Sequence, residues 1–586
     1  MHDPAAYPPA RTGMRGSHPG SFETAHAYTW QHGPQITEIP GKEEWTYDLV
    51  VVGAGISGLS AAHFFAARNP GAKILILDNH DDFGGHAKRN EFEVNGRMLL
   101  GHGGSQSLDH PGYYSQVAQQ LLSDLRVDVE ALAGGFDLDF YTRNGLATAA
   151  YFDKRTFGAS RLVPMRLSLF QDASLYRMAE CPTVADAIAR FPLSATGQRQ
   201  LQALYRGQIK PKRQLSGAEL GKISYSRFLT DVMGVDDPGA HVFLNGWTTP
   251  LTVVGIDAIP ANVAIAMFLP GTAGLAGMPG SEPYDHHFPD GNASIARLLV
   301  RRLIPRALPG GSMNDIITAR ADYAALDTPD NDVRIRLSST VVKVNHAGDP
   351  RTAETVSVEY VRGGKRYMAS GRKCVLACYN MMIPYLCDEV HENQAQALRS
   401  LVKQPLVYTN VALTNWRAWK KLHIGATYCP GHWHNYVFLD FPVSLGDYHF
   451  ARSPDDPIVV DMNWTPRAKD GSSKRDQSRF GRRLLLGTSF EDIEREVRGH
   501  LAGLLGPGGF DPAVDIAAIT VNRWAHGYAF DSDPLDDRAS GQLPPNVIGR
   551  QRIGRRIAIA NSDSGAIPFL NCAVDEAWRA VAELSS

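Results

Sequence analysis

Apolar and polar positions follow several distinct rhythms along this chain of 586 residues. The run LVVV at 49–52 leads directly into glycines at 53, 55 and 58. A helix-period pattern, LSAAHFFAAR, comes next, then a second apolar run, KILILD, closing on Asp78. That order predicts strand, tight turn, helix and strand. A mostly helical stretch is expected over roughly 113–283, with segments such as YYSQVAQQLLSDL and CPTVADAIARF. FPDGNASIARLLVRRL predicts a turn into an amphipathic helix, with Asn292 near its start. VRIRLSSTVVKV, TVSVEYV–RGG–KRYMAS and KCVLAC read as strand, hairpin and strand. QPLVYTNVALTNW and NYVFLDFPV alternate, which predicts strands of a separate antiparallel sheet. RIAIANSD reads as one more buried strand and NCAVDEAWRAVAEL as a closing helix.

These rhythms divide the chain. Residues 1–43, proline-bearing and without clear period, predict an extended N-terminal arm. A dinucleotide-binding unit is expected in three parts, 44–112, 284–390 and 545–586. It is interleaved with a substrate domain at 113–283 and 391–544, giving an α/β fold with a Rossmann-like half and an antiparallel half.

The glycine spacing Gly53-x-Gly55-x-x-Gly58 carries the first chemistry. The first glycine makes the turn, the second admits a pyrophosphate to the backbone, and the third lets helix and strand pack closely. Asp78 falls where a carboxylate binds ribose hydroxyls. A bound dinucleotide follows from this context, but the motif is shared by NAD and FAD sites.

Composition narrows the partners. Lys+Arg total 59 against 61 Asp+Glu, so the net charge of −2 carries no footprint for nucleic acid. Cys374 and Cys378 lie too far apart along one strand to bridge, and no Cys-x-x-Cys-His for covalent haem occurs. Residues 258–281 hold no charge, yet their prolines and glycines break a spanning helix, so a buried loop or active-site lid is expected and no transmembrane segment. No secretory signal is read in residues 1–20, and no zinc-type ligand spacing is present.

After Asp78 come NHDDFGGHAKRNEF and LGHGGSQSLD, with glycine pairs Gly84-Gly85 and Gly103-Gly104. These resemble the FAD-binding half of the flavin amine oxidase superfamily, with His86 where that superfamily usually has Arg, and Lys88 or Arg89 as substitutes. The resemblance implies cofactor contacts at Ser57, Asn79, Ser105 and Gln106 beside the glycines, and at Val342 in STVVKV. RWAHGYAF is similar to the Trp-bearing flavin segment, and IAIANSDSGAIPFLNCAVDEA to the final one, with Asp563 for the usual Glu and a helix starting near Asn571. By position, Tyr528 and Phe569 would be the aromatic walls guiding an amine, with Trp524 beside the flavin. Oxidases of the superfamily commonly carry a Lys on a central strand. PLVYTNVALTNW has Thr409 and Asn410 instead, which leans toward a dehydrogenase and makes Asn410 a catalytic candidate.

Within the superfamily, blocks such as YPPARTGMRGSHPGSFETAH, HFPDGNASIARLLVRRLIP and LACYNMMIPYLC resemble the bacterial spermidine dehydrogenases over nearly the whole chain. That resemblance implies FAD, haem b, a small polyamine substrate, an external acceptor such as a quinone or cytochrome, and a periplasmic location if the protein is exported like that family, a cytoplasmic one otherwise. His18 and His26 are then candidate haem-iron ligands, since a low-spin haem takes His or Met. Asp440, Glu282 and Asp285 are candidates for the cationic ends of the substrate; Asp440 stands out because it interrupts an apolar strand and needs a buried partner. Two rival readings keep the fold: a flavin-dependent desaturase or isomerase of an apolar substrate, and a non-enzymatic flavin or haem electron-transfer subunit.

Overall fold

The computed structural model describes residues 7–30, 41–167, 177–247, 249–272, 286–468, 471–531, 533, 535 and 543–585. Five parallel strands form its first sheet, in the order Ile557–Ile559, Cys374–Leu376, Leu49–Val52, Ile74–Leu77, Val333–Arg336. A parallel sheet is covered on both faces, so the four strands other than the edge strand Val333–Arg336 are apolar, apart from the sulfur of Cys374. Leu49, Val51, Ile74 and Ile76 point into one core, packed by helices Ile56–Arg68, Ala293–Leu303 and Leu570–Ser585. Val50, Val52, Leu75 and Leu77 point the other way. There they meet a four-stranded sheet ordered Thr340–His346, Val356–Arg362, Lys365–Gly371, Gly41–Tyr47.

The other half is an eight-stranded mixed sheet, ordered Gly13–Gly16, Ile516–Tyr528, Gln404–Leu413, Ile458–Trp464, His434–Leu439, Ile424–Tyr428, Ala147–Phe152, Arg161–Pro164. A hairpin, Arg89–Val94 with Arg97–His102, leaves the nucleotide half and reaches this sheet; its Phe92, Val94 and Leu99 pack on Ala412 and Val459. Each half thus draws strands from segments hundreds of residues apart, which is the interleaving expected from the rhythms.

Three local expectations change. The N-terminal arm is partly regular: Gly13–Gly16 lies parallel to Thr520–Arg523, and Glu23–Trp30 is a helix. Gly16 takes φ +68°, and a Cβ there would stand 2.6 Å from the Arg523 carbonyl oxygen. That pairing is imposed by a strand 500 residues away, so local periodicity does not reveal it. The stretch 113–283 holds many short helices, but Ala147–Phe152 and Arg161–Pro164 complete the far edge of the large sheet. Of the uncharged stretch, 258–272 includes a short helix, Ala261–Ala266, whose Ala261, Ala264 and Ile265 are buried. Residues 273–285, with Glu282 and Asp285, lie outside the described residues. Among the described residues, no helix is long and apolar enough to cross a membrane.

Candidate cofactor and substrate site

The fingerprint is built as its glycines require. Gly53 turns at φ +109°, and a Cβ on Gly58 would stand 1.8 Å from the Gly53 carbonyl oxygen, so helix Ile56–Arg68 can approach its strand only there. Gly55 caps that helix without any side-chain hydrogen bond. The first-turn N–H groups therefore remain available to an anion at the positive end of a 13-residue helix. Asp78, at the end of the next strand, accepts from the N–H of Ala54 at 2.6 Å and of His80 at 2.8 Å.

The second glycine pairs close the cradle. Gly84 bridges to Gly55, and a Cβ on Gly85 would stand 2.9 Å from the Gly55 Cα. Gly104 packs where a Cβ would lie 2.5 Å from the His86 carbonyl oxygen, and Gly103 accepts a hydrogen bond from Trp524 Nε1 at 2.6 Å. On the far side, Asn561 takes φ +88°, donates its N–H to Ser57 Oγ at 2.9 Å, and donates Nδ2 to the Cys378 carbonyl at 3.1 Å. The bond to Ser57 joins the C-terminal segment to helix Ile56–Arg68. Val342 is skipped in the pairing between Val341–Tyr360 and Lys343–Glu359, a bulge that turns it toward the same space.

These parts enclose a cavity of about 640 Å³. Gly53, Gly55, Ser57, Asp78, Asn79, Gly84, Gly85, His86, Gly104, Ser105, Gln106 and Val342 line it, together with Trp524, Tyr528, Phe569 and His26. Leu570 and Ala573 of the 16-residue closing helix also face it, so the helix starts at the cavity although Asn571 itself is not part of the wall. The wall near Trp524 is a stack of rings: His80 lies parallel to Trp524 at 5.9 Å, His86 meets it edge-on at 4.7 Å, and Tyr379 stacks between His86 and His526. Burial keeps these imidazoles neutral, with His86 pushed down to about 3 and His80 and His526 well below their usual value.

Other expected residues sit elsewhere. Gly103 and Gly58 shape the cradle from behind the wall. Lys88 donates Nζ to the carbonyls of Asp82 and Phe83, and Arg89 pairs with Glu91 at 2.7 Å, which leaves His86 as the lining member of that trio. Asp563 is fully buried and paired with Lys403. Asn410 lies on the same strand face as Leu406 and Tyr408 but one step past the cavity, under the hairpin, where its Oδ1 accepts from Asn90 Nδ2 at 2.8 Å. Asp440 is buried, with its carboxylate 3.8 Å from Nδ1 of His102, and is not part of the cavity lining. His18 turns to Asp81 at 3.2 Å, away from the lining that includes His26.

Residues that sequence reasoning missed include Asp109, the one cavity-lining acid besides Asp78 among the described residues. It follows Gly104 by five positions, close enough to the flavin-type segment to have been suspected. Arg482 was missed as well. It lines the cavity with Arg479 and Arg483, and burial next to Arg479 lowers it to about 10.

Residues 51–125 match the model of an NAD(P)-binding Rossmann-like domain. No curated protein matches the chain. Among solved structures, a putrescine oxidase variant from a redesign of cofactor binding is similar at 16% identity and TM-score 0.51, covering 92% of this chain and 99% of its own. Cyclohexylamine oxidase from Brevibacterium oxydans is similar at 13% identity and TM-score 0.50, over 92% and 99%. A candidate protoporphyrinogen oxidase from an Exiguobacterium species is similar at 14% identity and TM-score 0.54, over 93% and 100%. With a Rossmann-like half closed against an eight-stranded mixed sheet, the chain has the fold of the flavin amine oxidases.

Proposed function

We propose that the protein is an FAD-dependent amine dehydrogenase whose substrate is a polyamine such as spermidine, converted through imine hydrolysis to a diamine and an aminoaldehyde. The carrying observation is that one cavity joins the glycine cradle to an aromatic wall of Trp524 and Tyr528 and to the carboxylate of Asp109. Bound FAD would supply the acceptor for a hydride from the carbon beside an amine nitrogen. The residues that would hold it are those of the glycine cradle, whose uncapped helix end suits a pyrophosphate.

The protein's own task is orientation. Tyr528 and Phe569 offer aromatic faces to an amine, and the neutral His80, His86 and His526 add no cation that would repel it. Burial, helped by the nearby Asp109, raises the Tyr528 hydroxyl, and the Asp109 carboxylate in the cavity lining would hold a distal ammonium. Putrescine oxidase and cyclohexylamine oxidase share the fold and are named for amine substrates.

Haem b as the outlet for electrons is part of the same proposal. His26 lines the cavity from helix Glu23–Trp30, and it and His526 lie within electrostatic reach of Arg482. An imidazole beside arginines suits an iron porphyrin with its carboxylates. An absorbance spectrum taken before and after adding spermidine without oxygen tests the whole reading. Bleaching of the flavin band with reduction of a Soret band is expected. Bleaching without a Soret band would remove the haem, and no bleaching with any amine would favour the apolar-substrate or electron-transfer alternatives.

A further inference from the structure

Behind the cavity wall, three side chains from different elements converge in a place that the amine chemistry does not use. His102 ends the hairpin strand Arg97–His102, Asp461 lies within Ile458–Trp464, and Asp440 follows His434–Leu439. His102 Nε2 stands 3.2 Å from Asp461 Oδ2, and Nδ1 stands 3.8 Å from Asp440 Oδ1. All three are buried, and one donor atom from each lies within 4.8 Å of the others. Among the described residues, neither ring nitrogen of His102 nor either carboxylate oxygen of Asp461 finds a hydrogen-bond partner of normal geometry. Asp440 Oδ1 accepts from its neighbour's N–H, that of Phe441, at 2.8 Å. Among the described residues, no lysine or arginine pairs with either acid, and the nearby Arg89 is taken by Glu91 and Asp290.

Two carboxylates buried without a cation are strongly unfavourable. We infer that His102, Asp440 and Asp461 bind one divalent transition-metal ion, of the Zn²⁺ or Mn²⁺ kind. Imidazole with two carboxylates is a donor set such ions accept, and a dication would balance both acids. Tetrahedral metal–donor bonds of about 2.1 Å place donors about 3.4 Å apart, so on binding one ring nitrogen of His102 turns to the ion and the widest pair closes by about 1 Å or more. His287 packs on His102 at 5.7 Å between ring centres; among the described residues neither of its buried nitrogens makes a hydrogen bond of normal geometry, and it is the fourth candidate ligand. The ion would pin the hairpin of the nucleotide half to two strands of the large sheet, directly before Gly103-Gly104 in the chain. Its role is therefore structural. It stands independently of the substrate proposed above.

The test is metal analysis of the purified, flavin-loaded protein, alongside its Asp461→Asn and His102→Gln variants. About one equivalent of a divalent transition metal is expected in the unaltered protein, falling at least about ten-fold in each variant. Should the variants fail to fold, chelator-stripped protein is melted with and without added Zn²⁺ or Mn²⁺, and a rise in melting temperature at stoichiometric metal is expected. Protein that carries no such metal and melts unchanged when metal is supplied would overturn the inference, leaving the acids protonated. Metal retained undiminished in both folded variants would overturn it equally.

Discussion

Lys403 and Asp563 form an ion pair with 1% and 0% of their side chains exposed. The same carboxylate accepts from the Asn380 N–H at 3.0 Å, and the ammonium lies 5.3 Å from the centre of the Tyr379 ring. The pair ties the C-terminal flavin-type segment to the start of strand Gln404–Leu413 and to a ring of the cavity wall. Lys403 stands just before the strand in which the sequence lacks a lysine, and its charge is spent on Asp563. Removing one partner strands the other charge in a dry interior. Asp563→Asn or Lys403→Met is expected to cost about 3–5 kcal/mol in urea unfolding, and the double variant less than the sum of the two.

Trp524 gives a second expectation. Its indole N–H is spent on Gly103, and its ring closes the histidine stack. Trp524→Phe keeps a ring but loses that bond, worth about 1 kcal/mol, and leaves the Gly103 carbonyl without its donor. FAD affinity, followed by flavin fluorescence on titration, should weaken by about five- to ten-fold while the protein remains folded.

Asp109 separates polyamines from simple amines. A carboxylate holding a distal ammonium contributes about 1.5–3 kcal/mol through a charge-assisted hydrogen bond. Asp109→Asn should therefore raise KM for spermidine by at least about ten-fold with kcat little altered. A monoamine with no distal ammonium should show little change. An equal loss for both substrates would assign Asp109 to folding.

His434 supplies the pH dependence. It is buried against Thr409, with Nε2 3.1 Å from the hydroxyl oxygen, and burial pushes its imidazole down to about 3. The unfolded chain takes up that proton near pH 6.5 and the native chain only near 3. Its contribution to stability is thus full above pH 6.5 and lost as pH falls toward 3. Between pH 5.5 and 4.5 the His434→Gln variant should lose about 1.4 kcal/mol less stability than the unaltered protein, measured by denaturant unfolding at both pH values.

The sequence by itself determined the local pieces whose cause is local. Gly53 and Gly58 mark a turn that only glycine allows, and the run of β-branched and leucine residues at 49–52 and 74–77 marks strands buried on both faces. The strand at 404–413, buried along its whole length, and the helix at the C-terminus, with one face in the core, were legible as well. Tertiary structure decided what each polar side chain meets. Asp440 looked suited to the substrate and Asn410 to catalysis, yet a hairpin from residues 89–102 covers both behind the cavity wall. Asp109 drew no attention in a polar loop, and the fold turns it into the cavity. The difference is physical: backbone preference and hydrophobic period act over a few residues, whereas burial and pairing of a charge depend on strands brought together from hundreds of residues away.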